Sequence, residues 1–252
     1  VSFAECAVIL VSGVAAGTIN TVVGSGTLIT FPTLLAFGVP PVTANVSNTL
    51  GLVPGSLSGA WGYRAELVGQ RARIIRFGFA SASGAVIGAL LLLVLPSSAF
   101  RAIVPVLILI GLTLVVLGPR ITARLEARGG QHDRQEHGSG WVAPAVLGAG
   151  VYGGYFGAAQ GVIVLGIFGV GLDDTLQRQN ALKNIVVPCA NATAAVVFAF
   201  SGRIDWLIVL LLAIGATVGG QIGSTVGRAL PPSLLRAVVV VVGVVALVSF
   251  LV

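Results

Sequence analysis

The chain has 252 residues, of which 56% are hydrophobic and only 9% charged, with a mean hydropathy of +1.03. Roughly a quarter of the residues in a soluble domain carry charge, so this composition excludes one and calls for a lipid bilayer as solvent. The net charge of +6 is no sign of nucleic acid, because the basic residues stand in short loops between apolar runs, as the positive-inside bias requires.

Apolar runs bounded by charge, proline or glycine predict segments 3–23, 27–38, 43–62, 76–95, 102–118, 141–157, 161–172, 180–200, 204–227 and 233–252. Several reach the about 20 residues that a helix needs to cross the hydrocarbon core. The first carries Glu5 and no basic leader, so no cleavable signal peptide is expected there. Trp61, Tyr63, Trp141 and Trp206 fall at segment ends, where amphipathic rings settle at the headgroup level. Segments 27–38 and 161–172 are too short to span at about 1.5 Å per residue. Each follows a break: Gly24-Ser25-Gly26-Thr27 in one case, Gly157-Ala158-Ala159-Gln160-Gly161 in the other. Small residues recur every four positions at Ala80, Gly84 and Gly88 and again at Gly215, Gly219, Gly223 and Gly227. Such stripes suit close helix contact, within the chain or across a homodimer. Cys6 and Cys189 lie in apolar segments and imply neither a disulfide framework nor a metal site.

The two halves are related. A shift of 135 positions without a gap superposes Gly26 on Gly161, Asn45 on Asn180, Gly84 on Gly219, Gly88 on Gly223, Pro96 on Pro231 and Arg101 on Arg236. The predicted organisation is a first repeat at 1–118, a polar connecting loop at 119–140 and a second repeat at 141–252. Charge decides their relative orientation. If the second half is inverted, twelve of the fourteen Lys and Arg residues share one side, leaving only Arg101 and Arg203 on the other. Parallel halves give a weaker bias, so the positive-inside rule favours inversion. Inverted repeats must each cross an odd number of times, so 3–38 and 141–172 become hairpins whose tips lie inside the membrane. The expected fold is an all-α polytopic membrane protein of two inverted repeats, each a re-entrant helical hairpin plus three transmembrane helices.

The hairpin tips carry the chemistry. A helix starting at a tip points unpaired N–H groups and about half a positive charge into the protein. Two such starts converging in a low-dielectric space would hold an anion. The candidate binding residues are Ser25, Gly26 and Thr27 at the first break, Gln160 and Gly161 at the second, and Asn20 one turn before the first. Lys183, the only lysine, sits inside an apolar segment, where a charge is costly and usually functional. It is expected to face the two helix starts, or else to snorkel or pair with Asp173 or Asp174. Its repeat counterpart is Asn48. Asn48 and Thr49, with Asn45, Asn180 and Asn184, form a polar band, with Ser56 and Asn191 deeper. Each of these amides could instead bond backbone freed by the breaks. Glycines at the breaks could equally serve packing alone. His132, Asp133, Glu136 and His137 sit among arginines in the polar loop and read as solvated rather than metal-binding. Arg64 with Glu66, and Arg203 with Asp205, read as interfacial pairs.

Gly17, Gly24-Ser25-Gly26, Pro32, Gly38, Ala44-Asn45, Asn48-Thr49 and Gly59 together resemble the first signature of the TauE/SafE family of sulfite and organosulfonate exporters. Gly153, Gly157, Gly161, Ala181-Leu182-Lys183-Asn184, Asn191, Phe198 and Arg203-Ile204-Asp205-Trp206 resemble its second. The first tip has Gly-Ser-Gly-Thr where many members have a longer glycine run. The resemblance implies a multi-pass carrier in the cell (inner) membrane for a small sulfur-containing anion such as sulfite, sulfoacetate or a related organosulfonate.

No catalytic residue and no cofactor is expected, and the absence of a GxxxxGK[ST] loop argues against ATP-driven transport in this chain. Every acidic residue falls in a loop or near a segment end, so the expected carrier need not couple to protons. The alternatives are an anion channel, or a membrane sulfur-relay or enzyme component that uses Cys189.

Overall fold

The structure, a computed structural model, describes residues 2–128, 139–226, 234, 237–242 and 244–245. Among these it forms the helices α1 Phe3–Val22, α2 Thr27–Ala36, α3 Pro41–Gly62, α4 Arg71–Val94, α5 Ser97–Arg128, α6 Val142–Tyr155, α7 Gln160–Gly171, α8 Leu176–Ala199 and α9 Trp206–Thr225. A short 3-10 turn, Arg64–Leu67, joins α3 to α4. The protein is an all-α, polytopic membrane protein. Helices α1, α4, α8, α9 and the Ser97–Gly118 part of α5 are each long and apolar enough to cross a bilayer. The loop histidines, His132 and His137, with Asp133 and Glu136, lie outside the described residues, as does most of segment 233–252.

Local chemistry sets the helix ends. Ser2 and Glu5 form a capping box, with Glu5 N–H donating to Ser2 Oγ at 3.3 Å and Ser2 N–H to Glu5 Oε2 at 2.7 Å. Asp205 accepts from the N–H groups of Leu207 and Ile208 and so caps α9. That role takes the carboxylate away from Arg203, and the expected pair does not form. Arg64 likewise stacks over the Trp61 ring and donates to the Trp61 carbonyl rather than pairing with Glu66. Helix α4 starts before its apolar run and α5 continues well past its own. Both extensions carry arginines, so apolarity no longer marks the helix there. Helix α3 buries Asn45, Ser47, Asn48, Thr49 and Ser56, so its polar face looks into the protein. Trp61, Trp141 and Trp206 are exposed, as a headgroup belt requires, but Tyr63 is only 2% exposed. Helix α3 ends just before it, and the turn into Arg64–Leu67 carries the ring inward.

Both predicted hairpins are present. A Cβ on Gly26 would stand 2.5 Å from the Ala16 carbonyl oxygen, and Val8, early in α1, lines a cavity with Pro32 of α2 and Phe37 just after it. Helix α2 therefore folds back along α1. In the second hairpin, Ser139 N–H donates to the Gly171 carbonyl at 3.2 Å, which returns the end of α7 to the start of α6. Phe31 of α2 meets Phe156, beside the second break, edge to face at 5.1 Å between centroids.

The small-residue stripes act within the chain. A Cβ on Gly84 would lie 2.1 Å from Leu147 O, and one on Gly88 2.0 Å from Val151 O, so α4 rests on α6. The matching Gly215, Gly219 and Gly223 rest in the same way on Leu10, Val14 and Thr18 of α1. The two glycine helices, α4 and α9, thus lie on α6 and α1. Contact order also fixes direction. Residue numbers rise together between α1 and α9, between α3 and α9, and between α4 and α6. Helix α8 begins beside Val68, in the turn after α3, and Asp205, beyond its end, reaches Ser47 near the start of α3. So α1, α3 and α9 run one way, and α4, α6 and α8 the other.

Candidate functional site

The two breaks meet. Gly161 N–H donates to the Gly24 carbonyl at 3.1 Å, and a Cβ on either glycine would stand 2.5 Å from the other's Cα. Gly24 has φ +88°, a left-handed conformation that glycine adopts without strain. On the other side the turn is made by Gly157 at φ +76° and Ala159 at φ +60°, the latter costly for a residue with a Cβ. Tyr152 helps to hold it, donating its hydroxyl to the Ala158 carbonyl at 2.5 Å. Sequence reasoning missed this tyrosine, whose role depends on the turn rather than on any motif.

The two helix starts are not equivalent, which corrects the expectation that both face one anion. At α7, Gln160 N–H bonds to Gly157 O, Gly161 N–H to Gly24 O, and Val162 and Ile163 N–H to Ala159 O. Its first turn is closed. At α2, the N–H groups of Ser25, Gly26 and Thr27 make no hydrogen bond among the described residues, and the Ser25 hydroxyl is 1% exposed and without a partner. Three successive free amides and a hydroxyl make a set of donors at the positive end of α2. Gln160 is also 1% exposed, and both polar atoms of its amide lack partners. The amide lies in the notch left by Gly153, where a Cβ would come within 2.3 Å of its Cδ.

Lys183 is 1% exposed. It faces neither helix start, nor does it snorkel or pair with Asp173 or Asp174. Its ammonium donates to the carbonyls of Asn20 and Thr21 at 3.1 Å each, and Asn184 Nδ2 adds a bond to Thr21 O at 3.1 Å. These carbonyls belong to the last turn of α1, which lacks intrahelical donors and carries the negative end of the dipole. A buried cation is best placed there. The other half has a neutral version, in which Asn45 Nδ2 donates to Tyr155 O, at the end of α6, at 3.0 Å. Each helix after a hairpin therefore caps the broken helix of the opposite half.

The remaining predicted residues are partly absorbed by structure. Asn48 grips the first turn of α2, donating to Thr27 Oγ1 at 3.3 Å and accepting from the Thr30 hydroxyl. Asn20 donates to Ser56 Oγ at 3.1 Å. Thr49 bonds back to Asn45 O within its own helix. Asn191 is half-buried and makes no hydrogen bond among the described residues, so no contact ties it to the break. Cys189 lies between α4 and α8, facing Gly78, away from these groups.

A family model described as sulfite exporter TauE/SafE matches residues 9–250. The chain belongs to that family. The TauE/SafE chain is 28% identical over 251 residues to a probable membrane transporter protein, ORF9, of Sinorhizobium sp, with 96% of this chain and 91% of the relative covered. It is 26% identical over 234 residues to the probable membrane transporter protein YfcA of Escherichia coli K12, covering 91% of this chain and 83% of the relative. A probable membrane transporter protein of Haemophilus influenzae is 28% identical over 243 residues, with 93% and 90% covered. No solved structure matches the chain. It is a membrane transporter rather than an enzyme.

One charged cluster of this TauE/SafE protein gathers at the first turns of α4 and α8 around Asp174, which lies outside the membrane-crossing helices. Asp174, between α7 and α8, pairs with Arg73 of α4 and with Arg178, whose Nε stands 2.9 Å away. Gln70 donates to the Arg178 carbonyl at 3.1 Å, and Arg178 to the Val68 carbonyl at 3.2 Å, tying the two halves at one end. Burial alone would raise the Asp174 pKa. Hydrogen bonds from Arg73, the Thr175 N–H and Arg178 overcome it and hold the carboxyl below its ordinary value of 3.8. A depressed acid stabilises the fold fully above its unfolded pKa and loses that contribution as pH falls through the folded value. The melting-temperature difference between the native protein and Asp174→Asn should therefore be constant above about pH 4 and shrink below it. A difference that instead narrowed between pH 5 and 7 would contradict this assignment.

Proposed function

We propose that this transporter carries a small sulfur-containing anion (sulfite, sulfoacetate or a related organosulfonate) out across the cell (inner) membrane, at a site built on the first break. The observation that carries this reading is the set of unpaired donors at Ser25, Gly26 and Thr27, buried at the start of α2. Leaving such groups dry costs several kcal/mol in hydrocarbon, and an anion satisfies them. The opposed helix directions and the distribution of arginines support two inverted repeats, with Arg73 and Arg178 on the cytoplasmic side. Gly24 and Gly161 in contact leave no open pore between the breaks, which favours a carrier over a channel.

Among the described residues no carboxylate or histidine lies within a membrane-spanning segment apart from the cap Glu5. Coupling can then come from voltage, since a cytoplasm-negative potential of 100 mV favours efflux by about 2.3 kcal/mol per negative charge. Proteoliposomes loaded with sulfite should release it faster when a potassium-diffusion potential makes the lumen negative. Release that needs a pH gradient and ignores voltage would overturn the mechanism.

A further inference from the structure

Donors at the first break account for only part of the unmet hydrogen bonding around the Gly24–Gly161 contact. Gln160, directly before Gly161, leaves both its Nε2 and Oε1 unpartnered. Asn45, whose amide nitrogen is spent on Tyr155 at the edge of the second break, leaves its Oδ1 buried and unpartnered as well. Oxygen atoms of an amide accept hydrogen bonds and cannot donate them. A bare oxyanion, which also only accepts, could satisfy Ser25 Oγ, the free amides and Gln160 Nε2, but neither of these two oxygens. The charge balance is equally specific. Lys183 is the buried cation at this level, and it makes no ion pair among the described residues. A single negative charge matches it; a double one leaves an excess in a low-dielectric space.

We infer that the site selects a monoanionic sulfur oxyanion that carries its own O–H donor, with the anionic oxygens on the first break and the hydroxyl on Gln160 Oε1. Hydrogensulfite and a hydroxyalkanesulfonate have this chemistry; sulfate, a plain alkanesulfonate and, within the class proposed above, the dianion sulfoacetate do not. The inference rests on the anion-carrier reading above and adds the requirement for a donor. A site built to bond a hydroxyl leaves its own polar group unpaired when the hydroxyl is missing, and discriminates strongly on that account.

The test compares 2-hydroxyethanesulfonate with propane-1-sulfonate, which replaces the hydroxyl by a methyl group at equal charge and similar size. Isothermal titration of the purified full chain should show the hydroxylated ligand bound roughly tenfold or more tightly. Gln160→Met keeps the side chain unbranched and of similar length over Gly153, and should abolish the preference while the protein remains folded. Hydrogensulfite should bind and sulfate should not. Equal binding of the two sulfonates by the native protein overturns the inference, since water alone then satisfies Gln160 and Asn45. A preference that survives in Gln160→Met overturns the assignment to Gln160. Failure of every one of these anions to bind rejects the carrier reading itself, and so is distinct from the other outcomes.

Discussion

Gly161→Ala is expected to bring transport close to background. The added methyl would stand 2.5 Å from Gly24 Cα and 2.9 Å from Gly24 O, where carbon atoms need about 3.5–4.0 Å. Both obstructing atoms are backbone, so no side chain can rotate out of the way. Helix propensity points in the opposite direction, because alanine is favoured over glycine inside a helix by about 1 kcal/mol. The contact must win: it forces the breaks apart, breaks the Gly161 N–H bond to Gly24, and displaces the free amides of Ser25, Gly26 and Thr27. Gly166, in the same helix, has nothing within 4 Å of the place an added methyl would take, so Gly166→Ala is the matched control and should keep full activity. Sulfite flux in proteoliposomes, read beside the melting temperature of each variant, separates the outcomes. A Gly161→Ala protein that transports normally would mean that the two breaks need not touch at any stage of the cycle.

The breaks themselves were legible from sequence, since a glycine cluster followed by a dozen apolar residues is a local signal that a helix has stopped and restarted short of a full span. The loop arginines point to an inverted second half, because loop charge reports on sidedness without reference to packing. What sequence could not supply was the difference between the two helix starts. It arises because the Gly24 carbonyl occupies the Gly161 amide, a contact between residues 137 positions apart in the numbering. No residue type marks a backbone acceptor, and for the same reason the partner of Lys183 was out of reach. An isolated ammonium in an apolar run says only that something must compensate it. That the compensation comes from the carbonyl end of α1, and not from Asp174, depends on the tertiary approach of α8 to α1. The offset between the halves did contain a hint: Asn45 and Lys183 cap opposite broken helices, but from positions one turn apart in the repeat register.

Lys183→Met should weaken anion binding strongly while leaving the fold largely intact. Methionine matches the stem of lysine and occupies the same buried space, so little packing is lost. The Thr21 carbonyl keeps its bond from Asn184 and only the Asn20 carbonyl loses its donor. That loss costs about 1–3 kcal/mol, and it is offset in part because the charge no longer has to be held away from water. Binding has no such compensation. The carbonyls that Lys183 holds lie in the turn leading into Gly24 and Ser25, and a unit charge about 4–8 Å from the anion, at an effective dielectric of about 20, supplies about 2–4 kcal/mol. Affinity should therefore fall roughly thirty- to a thousand-fold by the usual conversion of about 1.4 kcal/mol per decade. Lys183→Arg is the informative companion. It keeps the charge but must fit a larger planar head into a space that leaves lysine 1% exposed, so it should retain some affinity at a cost in melting temperature. If Lys183→Met melted near the native temperature and bound the anion as well as before, the ammonium would be no more than a cap on α1, and the counter-charge for the anion would have to be the start of α2 alone.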